Sequence, residues 1–407
     1  MINQTFEHLN NETKPMQKTN WIILKSKDRG IEYGVGTFIK QLSHGLAARK
    51  EINVFVIEIG ITGSKSFTIR KQDGITILEI PLEENTKGVD SKKNQEKLSR
   101  NISRVVSQYI PKSDVTVIHM NYLFQYFIGI ELRRVLKGKL IFTQHVFTLD
   151  EKGGNNFFDT ENHTYQLVDK IITVTKHGKD HLVKKGVEAD KIEVIHNGID
   201  PSHFGTKNIN ILEKYGLERN EKIILYSGRI DPIKGLDYLC DAFELLLEKI
   251  PGCRLVIAGN GNYESLIKKA RTFSANISYL GFIPFEDVVA LYYEADIGVI
   301  PSLEEHCSYV ALEMLHCGLP VVASNLGGLK EIFVHGENAL LADTIADKTN
   351  IYGVSPEVKQ LTNHMYKLLS DENLKTEFSR NAIIRANEKF TLKIMITNYI
   401  QTIKNLN

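Results

Sequence analysis

The sequence predicts an α/β protein made of two successive Rossmann-like halves. Short, β-branched strand candidates alternate with helical patterns along the 407 residues, and this alternation is typical of largely parallel sheets. The chain opens with a strand, a glycine-rich turn and an amphipathic helix, which is how a Rossmann-like half begins. A second series of the same kind begins near residue 222. The turn-rich segment HNGIDPSHF, residues 196–204, separates the two series and predicts the domain boundary.

The first half is defined by seven strand candidates, at residues 21–25, 52–58, 75–80, 115–120, 139–143, 170–174 and 192–195. After the first strand, Gly34 and Gly36 form a turn before an amphipathic helix. A dinucleotide fingerprint needs a small residue where Ile39 stands, which argues against NAD. His119 and His145 lie just after two of the strands, where open α/β sheets place their ligands. A single histidine at such a place is more often structural than catalytic.

The second half contains strand candidates at 222–227, 254–258, 278–282, 297–301 and 320–323, and ends in helices at 356–369, 373–389 and 392–406. Arg229 follows the first of these strands, and Lys234 opens the next helix. An arginine and a lysine five residues apart around such a turn can hold a diphosphate, one as a planar fork and the other as a point charge. The simpler interpretation is a pair of surface cations.

The stretch 301–328, PSLEEHCSYVALEMLHCGLPVVASNLGG, joins two strands through a polar loop and a helix that starts at about Ser308. Glu305 lies in the loop, and Glu313 lies more than a turn inside the helix. A helix start that follows a parallel strand is an anion site, because its first N–H groups lack partners. Two carboxylates on either side of a bound phosphate suit a sugar nucleotide. From spacing alone, however, Glu313 is more simply part of a solvated helix face.

Composition is that of an ordinary globular protein. A formal charge of +1 conceals a basic first half and an acidic second half, and we expect no nucleic-acid partner. The four cysteines form no C-x-x-C pair, which suits a reducing compartment. The first twenty residues are polar and no apolar run reaches membrane-spanning length. We therefore expect a cytoplasmic protein, with peripheral contact between its basic half and the inner face of the membrane as an alternative.

The stretch 301–328 resembles the donor-site signature of the retaining glycosyltransferases of family four. The motif residues are Pro301-Ser302, Glu305, Glu313, the run Gly318-Leu319-Pro320-Val321, and Gly327-Gly328. This resemblance implies the GT-B fold, in which two Rossmann-like domains face each other across a cleft and the C-terminal helix crosses back to the first domain. The implied domains are an acceptor domain, 1–198 with the last helix at about 391–407, and a donor domain, 199–390.

The same resemblance implies roles for individual residues. It makes Arg229, Lys234, Glu305 and His145 the catalytic residues and places Thr175 at the rim of the cleft, on the acceptor side. His119 is an acceptor-side candidate from its place in the sheet alone. In place of the family's usual Gly-Phe-Gly after the first glutamate, this chain has His306-Cys307-Ser308, which leaves the preferred donor sugar open. The implied donor-binding residues are Gly34, Gly36, Gly228, Gly259, Gly261, Phe282, Ile283, Cys307, Ser308, Tyr309, Val310 and Glu313.

The implied reaction is hexosyl transfer from a nucleoside-diphosphate sugar to a hydroxyl acceptor in glycan or polysaccharide synthesis, with retention at the anomeric carbon. A UDP-sugar is the favoured donor and GDP-mannose the alternative, and the acceptor is a glycan, a lipid-linked compound or a peptide. The sequence contains no Asp-x-Asp run to bridge a cation to the diphosphate. We therefore expect no metal and no cofactor. A sugar-nucleotide epimerase and a non-catalytic sugar-nucleotide-binding scaffold are the other functions that fit this sequence.

Overall fold

The protein is described by a computed structural model that covers residues 18–26, 34–60, 66–82, 92–146, 156–205 and 210–406. The chain divides into two compact units. One comprises Met1–Ile31, Ser43–Phe142 and Phe157–Asp169, and the other comprises Glu32–Leu42, Thr143–Asn156 and Lys170–Asn407.

The first sheet has eight strands in the order β3-β4-β2-β1-β5-β6-β7-β8. Its pairs are parallel except β3 with β4, which are antiparallel. The elements are β1 (Thr19–Ser26), α1 (Val35–Ala47), β2 (Ile52–Gly60), β3 (Thr68–Gln72), β4 (Ile75–Pro81), α2 (Lys92–Ser107), β5 (Val115–Met120), α3 (Tyr126–Leu136), β6 (Lys139–Gln144), α4 (Asn156–Leu167), β7 (Lys170–Thr173), α5 (Lys176–Lys184) and β8 (Ile192–Val194).

Burial explains which strands the sequence predicts. In β1, Trp21 and the three apolar residues after it are buried, as expected for a strand covered on both faces. Strand β3, TIRKQ, is polar and mostly exposed at the sheet edge, so no apolar run reveals it.

The second sheet has six parallel strands in the order β11-β10-β9-β12-β13-β14. A small antiparallel pair, β15 with β16, follows it. The elements are α6 (Ile211–Lys214), β9 (Lys222–Ser227), α7 (Leu236–Leu247), β10 (Cys253–Ala258), α8 (Tyr263–Lys269), β11 (Ile277–Gly281), α9 (Phe285–Glu294), β12 (Ile297–Ile300), α10 (Tyr309–His316), β13 (Val321–Ser324), α11 (Leu329–Ile332), β14 (Ala339–Ala342), β15 (Thr344–Ala346), β16 (Val354–Pro356), α12 (Val358–Ser370), α13 (Glu372–Lys389) and α14 (Leu392–Lys404).

Helices cover both faces of this sheet. One apolar core includes Leu291 of α9 and Leu312 of α10, and the other includes Phe243 of α7 and Leu361 of α12. The two layers confirm a doubly wound, Rossmann-like domain, whose loops at the carboxyl ends of the strands are where such sheets bind ligands.

The last helix contacts residues from the first half of the chain that belong to the same compact unit. The Tyr399 hydroxyl of α14 lies 3.0 Å from the Thr143 hydroxyl, and its ring centroid lies 6.1 Å from that of Phe38. At the start of α14, the Leu392 N–H donates to the carbonyl of Ile199 at 2.8 Å.

The predicted boundary at residues 198 and 199 stays a prediction. Strands β7 and β8 are hydrogen-bonded into the first sheet, whereas the division into compact units assigns them to the unit that contains the second sheet. The predicted cleft also stays a prediction.

Candidate functional site

The carboxyl ends of β9 and β10 carry turns that touch backbone to backbone. The Gly228 N–H donates to the Ala258 carbonyl at 2.9 Å. A Cβ on Gly259 would lie 1.7 Å from the Gly228 oxygen, so no side chain fits there. The predicted glycine Gly259 therefore has a packing role, and Gly261 has the same one, since a Cβ there would lie 2.1 Å from the Ile230 oxygen. Gly228 has a φ of 134°, a backbone conformation that favours glycine.

Lys234 and Glu305 form a mostly buried ion pair. The Lys234 Nζ lies 2.5 Å from the Glu305 Oε1, with side chains 21% and 10% exposed, and the Ser302 hydroxyl donates to the same oxygen at 3.0 Å. The Leu303 N–H donates to the Ile233 carbonyl at 2.8 Å and ties the two loops together. The structure thus joins two predicted catalytic residues that are 71 positions apart in the sequence.

Arg229, in the turn after β9, stays accessible. Its guanidinium lies 3.6 Å from the Asp231 carboxylate and its side chain is 43% exposed. The Tyr226 hydroxyl donates to the Arg229 carbonyl at 2.5 Å and fixes the backbone of the turn. A cation held in this way can reach an anionic ligand while its main chain stays in place.

Helix α10 begins where the sequence predicts, with Ser308 as its N-cap. The Ser308 hydroxyl accepts the Ala311 N–H at 3.4 Å. Val310 lies beside Gly228, since a Cβ on that glycine would be 4.0 Å from the Val310 Cγ2. The start of α10 is therefore next to the turn that carries Arg229, and its free N–H groups favour negative charge there.

Glu313 belongs to a hydrogen-bonded chain that reaches β9. The Tyr292 hydroxyl of α9 donates to the Glu313 Oε2 at 2.9 Å and lies 2.6 Å from the Ser227 hydroxyl. Burial raises the pKa of Glu313 to about 7, although the bond from Tyr292 acts in the opposite direction. The carboxylate is held by the protein, so the solvated-face interpretation of Glu313 is wrong.

The raised pKa predicts how stability depends on pH. Folded Glu313 binds its proton more tightly than the ordinary value of 4.5 implies, so its contribution is full below pH 4.5 and is lost as pH rises through about 7. Glu313→Gln removes this dependence. Between pH 5 and 7.5, we expect the variant's melting temperature to rise relative to that of wild type. The corresponding difference in the free energy of unfolding grows by at most about 1.4 kcal/mol per pH unit. Parallel melting curves across that range would contradict the assignment, and Glu264→Gln on exposed α8 is the control.

The segment that replaces the family's Gly-Phe-Gly is held in place by its neighbours. The Asn197 amide donates to the Cys307 carbonyl at 2.9 Å, and His306 Nε2 lies 3.2 Å from Glu304. Burial raises the pKa of the Cys307 thiol to about 12. The Cys307 side chain is thus neutral and buried, and its carbonyl is held by Asn197.

His145 follows β6 as predicted and packs edge-on against Phe38, with ring centroids 4.6 Å apart. Burial, and to a smaller extent the charge of His306, lower the pKa of His145 to about 3. The imidazole is therefore neutral at physiological pH and is close to the segment after Glu305. Gly34 precedes α1, with its carbonyl accepting the Phe38 N–H at 2.9 Å, and Gly36 lies in the first turn of that helix.

One predicted position needs correction, that of His119. His119 lies inside β5 and is buried, with the Trp21 Nε1 donating to its Nδ1 at 3.4 Å, so it does not follow a strand end. Thr175 is buried and its hydroxyl accepts the Gly178 N–H at 3.0 Å as the N-cap of α5. The acceptor-side roles of both residues remain predictions. Of the predicted donor-binding residues after β11, Phe282 is 82% exposed and Ile283 is buried.

Sequence reasoning missed Glu331, which connects three segments. Its carboxylate accepts the N–H groups of Lys176 and His177 and contacts His196 Nε2, each at 2.8 Å. Burial raises the pKa of Glu331, but these hydrogen bonds outweigh it and the net shift is downward. Tyr292 and Ser227 were also missed, because nothing in the sequence shows which tyrosine or serine lies next to Glu313.

Across the described ranges, no group of three or more histidine, cysteine, aspartate or glutamate residues could hold a metal ion. Within the same ranges, none of the helices has both the length and the apolar character to cross a bilayer.

Two family models match this chain. "Glycosyltransferase Family 4" matches residues 33–203 and "Glycosyl transferases group 1" matches residues 207–385, so that together they span most of the protein. The fold and the site thus define a protein of the two-domain glycosyltransferase class. The chain belongs to the family 4 glycosyltransferases of the GT-B fold.

Individual relatives agree with this class. An uncharacterized glycosyltransferase of Methanocaldococcus jannaschii is 32% identical over 240 residues, which is 55% of this chain and 61% of that one, so the match spans less than two thirds of that relative. A D-inositol 3-phosphate glycosyltransferase of Corynebacterium glutamicum is 25% identical over 383 residues, 88% of this chain and 84% of that one. The structure of Anabaena HepE in complex with UDP shares the fold, with a TM-score of 0.74, 17% identity, and coverage of 96% of this chain and 100% of that one.

Proposed function

We propose that this protein transfers a hexosyl unit from a nucleoside-diphosphate sugar to a hydroxyl acceptor, with retention of anomeric configuration and without a metal ion. The observation that carries the proposal is the Lys234–Glu305 ion pair at the carboxyl ends of the strands, close to the loop that leads into α10. It combines a cation for the diphosphate with a carboxylate for sugar hydroxyls. A UDP-sugar is the favoured donor, because HepE was solved with UDP and with UDP-glucose. GDP-mannose is the alternative donor.

The diphosphate gains negative charge as the glycosidic bond breaks. Lys234, Arg229 and the first N–H groups of α10 stabilise that charge in the positions they already occupy, and stabilisation of this kind usually contributes more to catalysis than any other single effect. The acceptor hydroxyl forms the new bond to the anomeric carbon, and the departing phosphate takes its proton. No protein nucleophile is needed in this scheme.

Glu313 and His145 position the donor. One oxygen of Glu313 is engaged by Tyr292, and the other is left to accept hydrogen bonds from the ribose hydroxyls. His145 is neutral, so it can donate or accept a hydrogen bond with the sugar and adds no charge to the site. The backbone after β11, next to exposed Phe282 and buried Ile283, contacts the base.

The acceptor is a glycan, a lipid-linked compound or a peptide, and the protein acts in the cytoplasm. Peripheral contact with the inner face of the membrane would bring it to a lipid-linked acceptor. The basic helix α2 supports this part of the proposal, because Lys97, Arg100 and Arg104 are exposed along it.

Thermal stabilisation by UDP, GDP, UDP-glucose and GDP-mannose, each with a chelator present, tests the proposed function. We expect one nucleotide and its sugar derivative to raise the melting temperature, since a ligand at one hundred times its Kd adds about 2.7 kcal/mol. Donor hydrolysis without acceptor separates the alternatives. A scaffold shows none, and an epimerase releases a changed sugar nucleotide. Failure of every nucleotide to stabilise the protein would refute the proposal.

A further inference from the structure

The connection between β14 and α12 is an unusually long one. Loops between a strand and the next helix in such domains are commonly about 2–6 residues. Here the chain forms the antiparallel pair β15 and β16, with Thr344 opposite Pro356 and Ala346 opposite Val354. We call residues 344–356 the β15–β16 hairpin. None of the roles proposed above involves it.

The tip of the hairpin is closed by its own hydrogen bonds. The Asp347 N–H donates to the Gly353 carbonyl at 2.9 Å, and the Tyr352 N–H donates to the Asn350 side-chain oxygen at 2.8 Å. The Thr349 N–H donates to the Asp347 carboxylate at 2.9 Å. These bonds hold the backbone of Tyr352 in one conformation.

Tyr238 of α7 anchors the tip next to the site. Its hydroxyl donates to the Asp347 Oδ2 at 2.7 Å and accepts from the Asn350 amide at 3.0 Å. Tyr238 lies about one helical turn beyond Lys234 in the sequence. The anchor therefore fixes the hairpin close to the loop that carries Lys234.

Tyr352 belongs to the tip that Tyr238 holds, because its N–H binds the side chain of Asn350, which in turn donates to the Tyr238 hydroxyl. The Tyr352 hydroxyl lies within electrostatic range of Asp231, Glu304 and Arg229. Burial is the main reason that the pKa of Tyr352 is raised, the two carboxylates raise it further, and Arg229 opposes them. The anchored tip and these electrostatic interactions together put Tyr352 in the neighbourhood of Arg229, the cation assigned to the diphosphate, and of Glu304, which precedes Glu305.

We propose that Tyr352 and the β15–β16 hairpin form one wall of the pocket for the hexose of the donor. The carboxylates of Asp231 and Glu304 disfavour a second phosphate there but accept hydrogen bonds from sugar hydroxyls, and an aromatic ring suits the C–H face of a pyranose. Tyr352 is then a specificity residue for the donor sugar. This inference rests on the proposed function, in which Arg229 and Lys234 hold the adjoining diphosphate.

Calorimetric titration of the full chain with UDP and UDP-glucose, and with GDP and GDP-mannose, tests the hexose wall. We expect Tyr352→Ala to raise the Kd of the sugar nucleotide about tenfold, as the loss of one hydrogen bond and its packing contact implies. The Kd of the matching nucleotide without sugar should change by less than about twofold. Tyr238→Phe, which removes the anchor and leaves Tyr352 intact, should give the same selective loss. Tyr366→Ala, on the exposed face of α12, is the control.

The outcomes separate the two proposals. If wild type binds a sugar nucleotide and both variants bind it equally well, the hexose wall is wrong and the proposed function stands. Equal losses for nucleotide and sugar nucleotide would also overturn the wall. If wild type binds none of the four ligands, the proposed function fails and the inference fails with it.

Discussion

Lys234→Ala is expected to lower the turnover number by about 10²- to 10³-fold, the usual effect of removing one preorganised group that stabilises developing charge. The lysine reaches the site through a short turn whose N-cap, Asp231, accepts the Ile233 N–H at 3.2 Å. Its ammonium is fixed by Glu305 at 2.5 Å before any ligand arrives. Stabilisation of the leaving diphosphate therefore needs little reorganisation, and this is the property that the variant loses.

Steady-state kinetics and nucleotide affinity should be measured together for this variant. We expect the loss to fall mainly on turnover, because the charge that Lys234 stabilises develops as the bond breaks. Lys268→Ala is the matched control, since Lys268 also lies 2.7 Å from a glutamate but on the exposed face of α8. A Lys234→Ala enzyme with full turnover and a normal melting temperature would remove Lys234 from the mechanism.

Gly328→Ala should be among the most destabilising single substitutions in the second sheet domain. A Cβ on Gly328 would lie 1.2 Å from the backbone oxygen of His306 and 2.9 Å from the Thr175 Cγ2. Neither the His306 backbone nor the buried threonine can move without displacing the loop after Glu305. We expect a loss of more than about 3 kcal/mol in the free energy of unfolding, as overpacking against a backbone atom implies.

Denaturant unfolding and nucleotide binding of Gly328→Ala can be compared with Gly252→Ala. A Cβ on Gly252 meets no atom within 4 Å, and its backbone lies outside the left-handed region, so this control should be nearly neutral. The Gly328 N–H also donates to the Glu305 carbonyl at 2.9 Å, so nucleotide affinity should fall together with stability. If Gly328→Ala changed the free energy of unfolding by less than about 0.5 kcal/mol, the loop would have to move enough to accommodate the methyl group, and this prediction would be wrong.

Strands with continuous apolar runs were predicted well from the sequence. Strand β9 has the predicted limits, because KIILYS is bounded by a charged turn and by Gly228. The polar edge strand β3 and the short pair β15 and β16 carry no such run, and their stability comes from partners that the sequence does not specify. Strand β5 also has the predicted limits, residues 115–120, so His119 lies inside the predicted strand as well, and its assignment to a position after the strand was wrong.

In the candidate site too, residues that stand in local sequence motifs were predicted, and residues that depend on contacts between distant segments were not. Arg229, Lys234 and Glu305 were found because they stand in motifs next to strand ends. Tyr292 was missed because it comes from the last turn of α9, 21 positions before Glu313, and only the packing of α9 on the sheet brings its hydroxyl to that carboxylate. Contacts between distant segments depend on helix rotation, which periodicity fixes only approximately.

The hydrogen bonds of Glu331 and Tyr399 indicate where this chain can be divided. A fragment that begins at the predicted boundary, residue 199, would lose the amides of Lys176 and His177 that bind Glu331, and the Thr143 hydroxyl beside Tyr399. It would take the amides of Lys176 and His177 and the ring of His196 from a mostly buried carboxylate, and the Thr143 hydroxyl from a buried phenol, and lost hydrogen bonds are costly for buried polar groups. We therefore expect that residues 199–407 do not form an independent unit, and that exchanges with other family members should carry residues 143 and 170–198 together with the C-terminal segment.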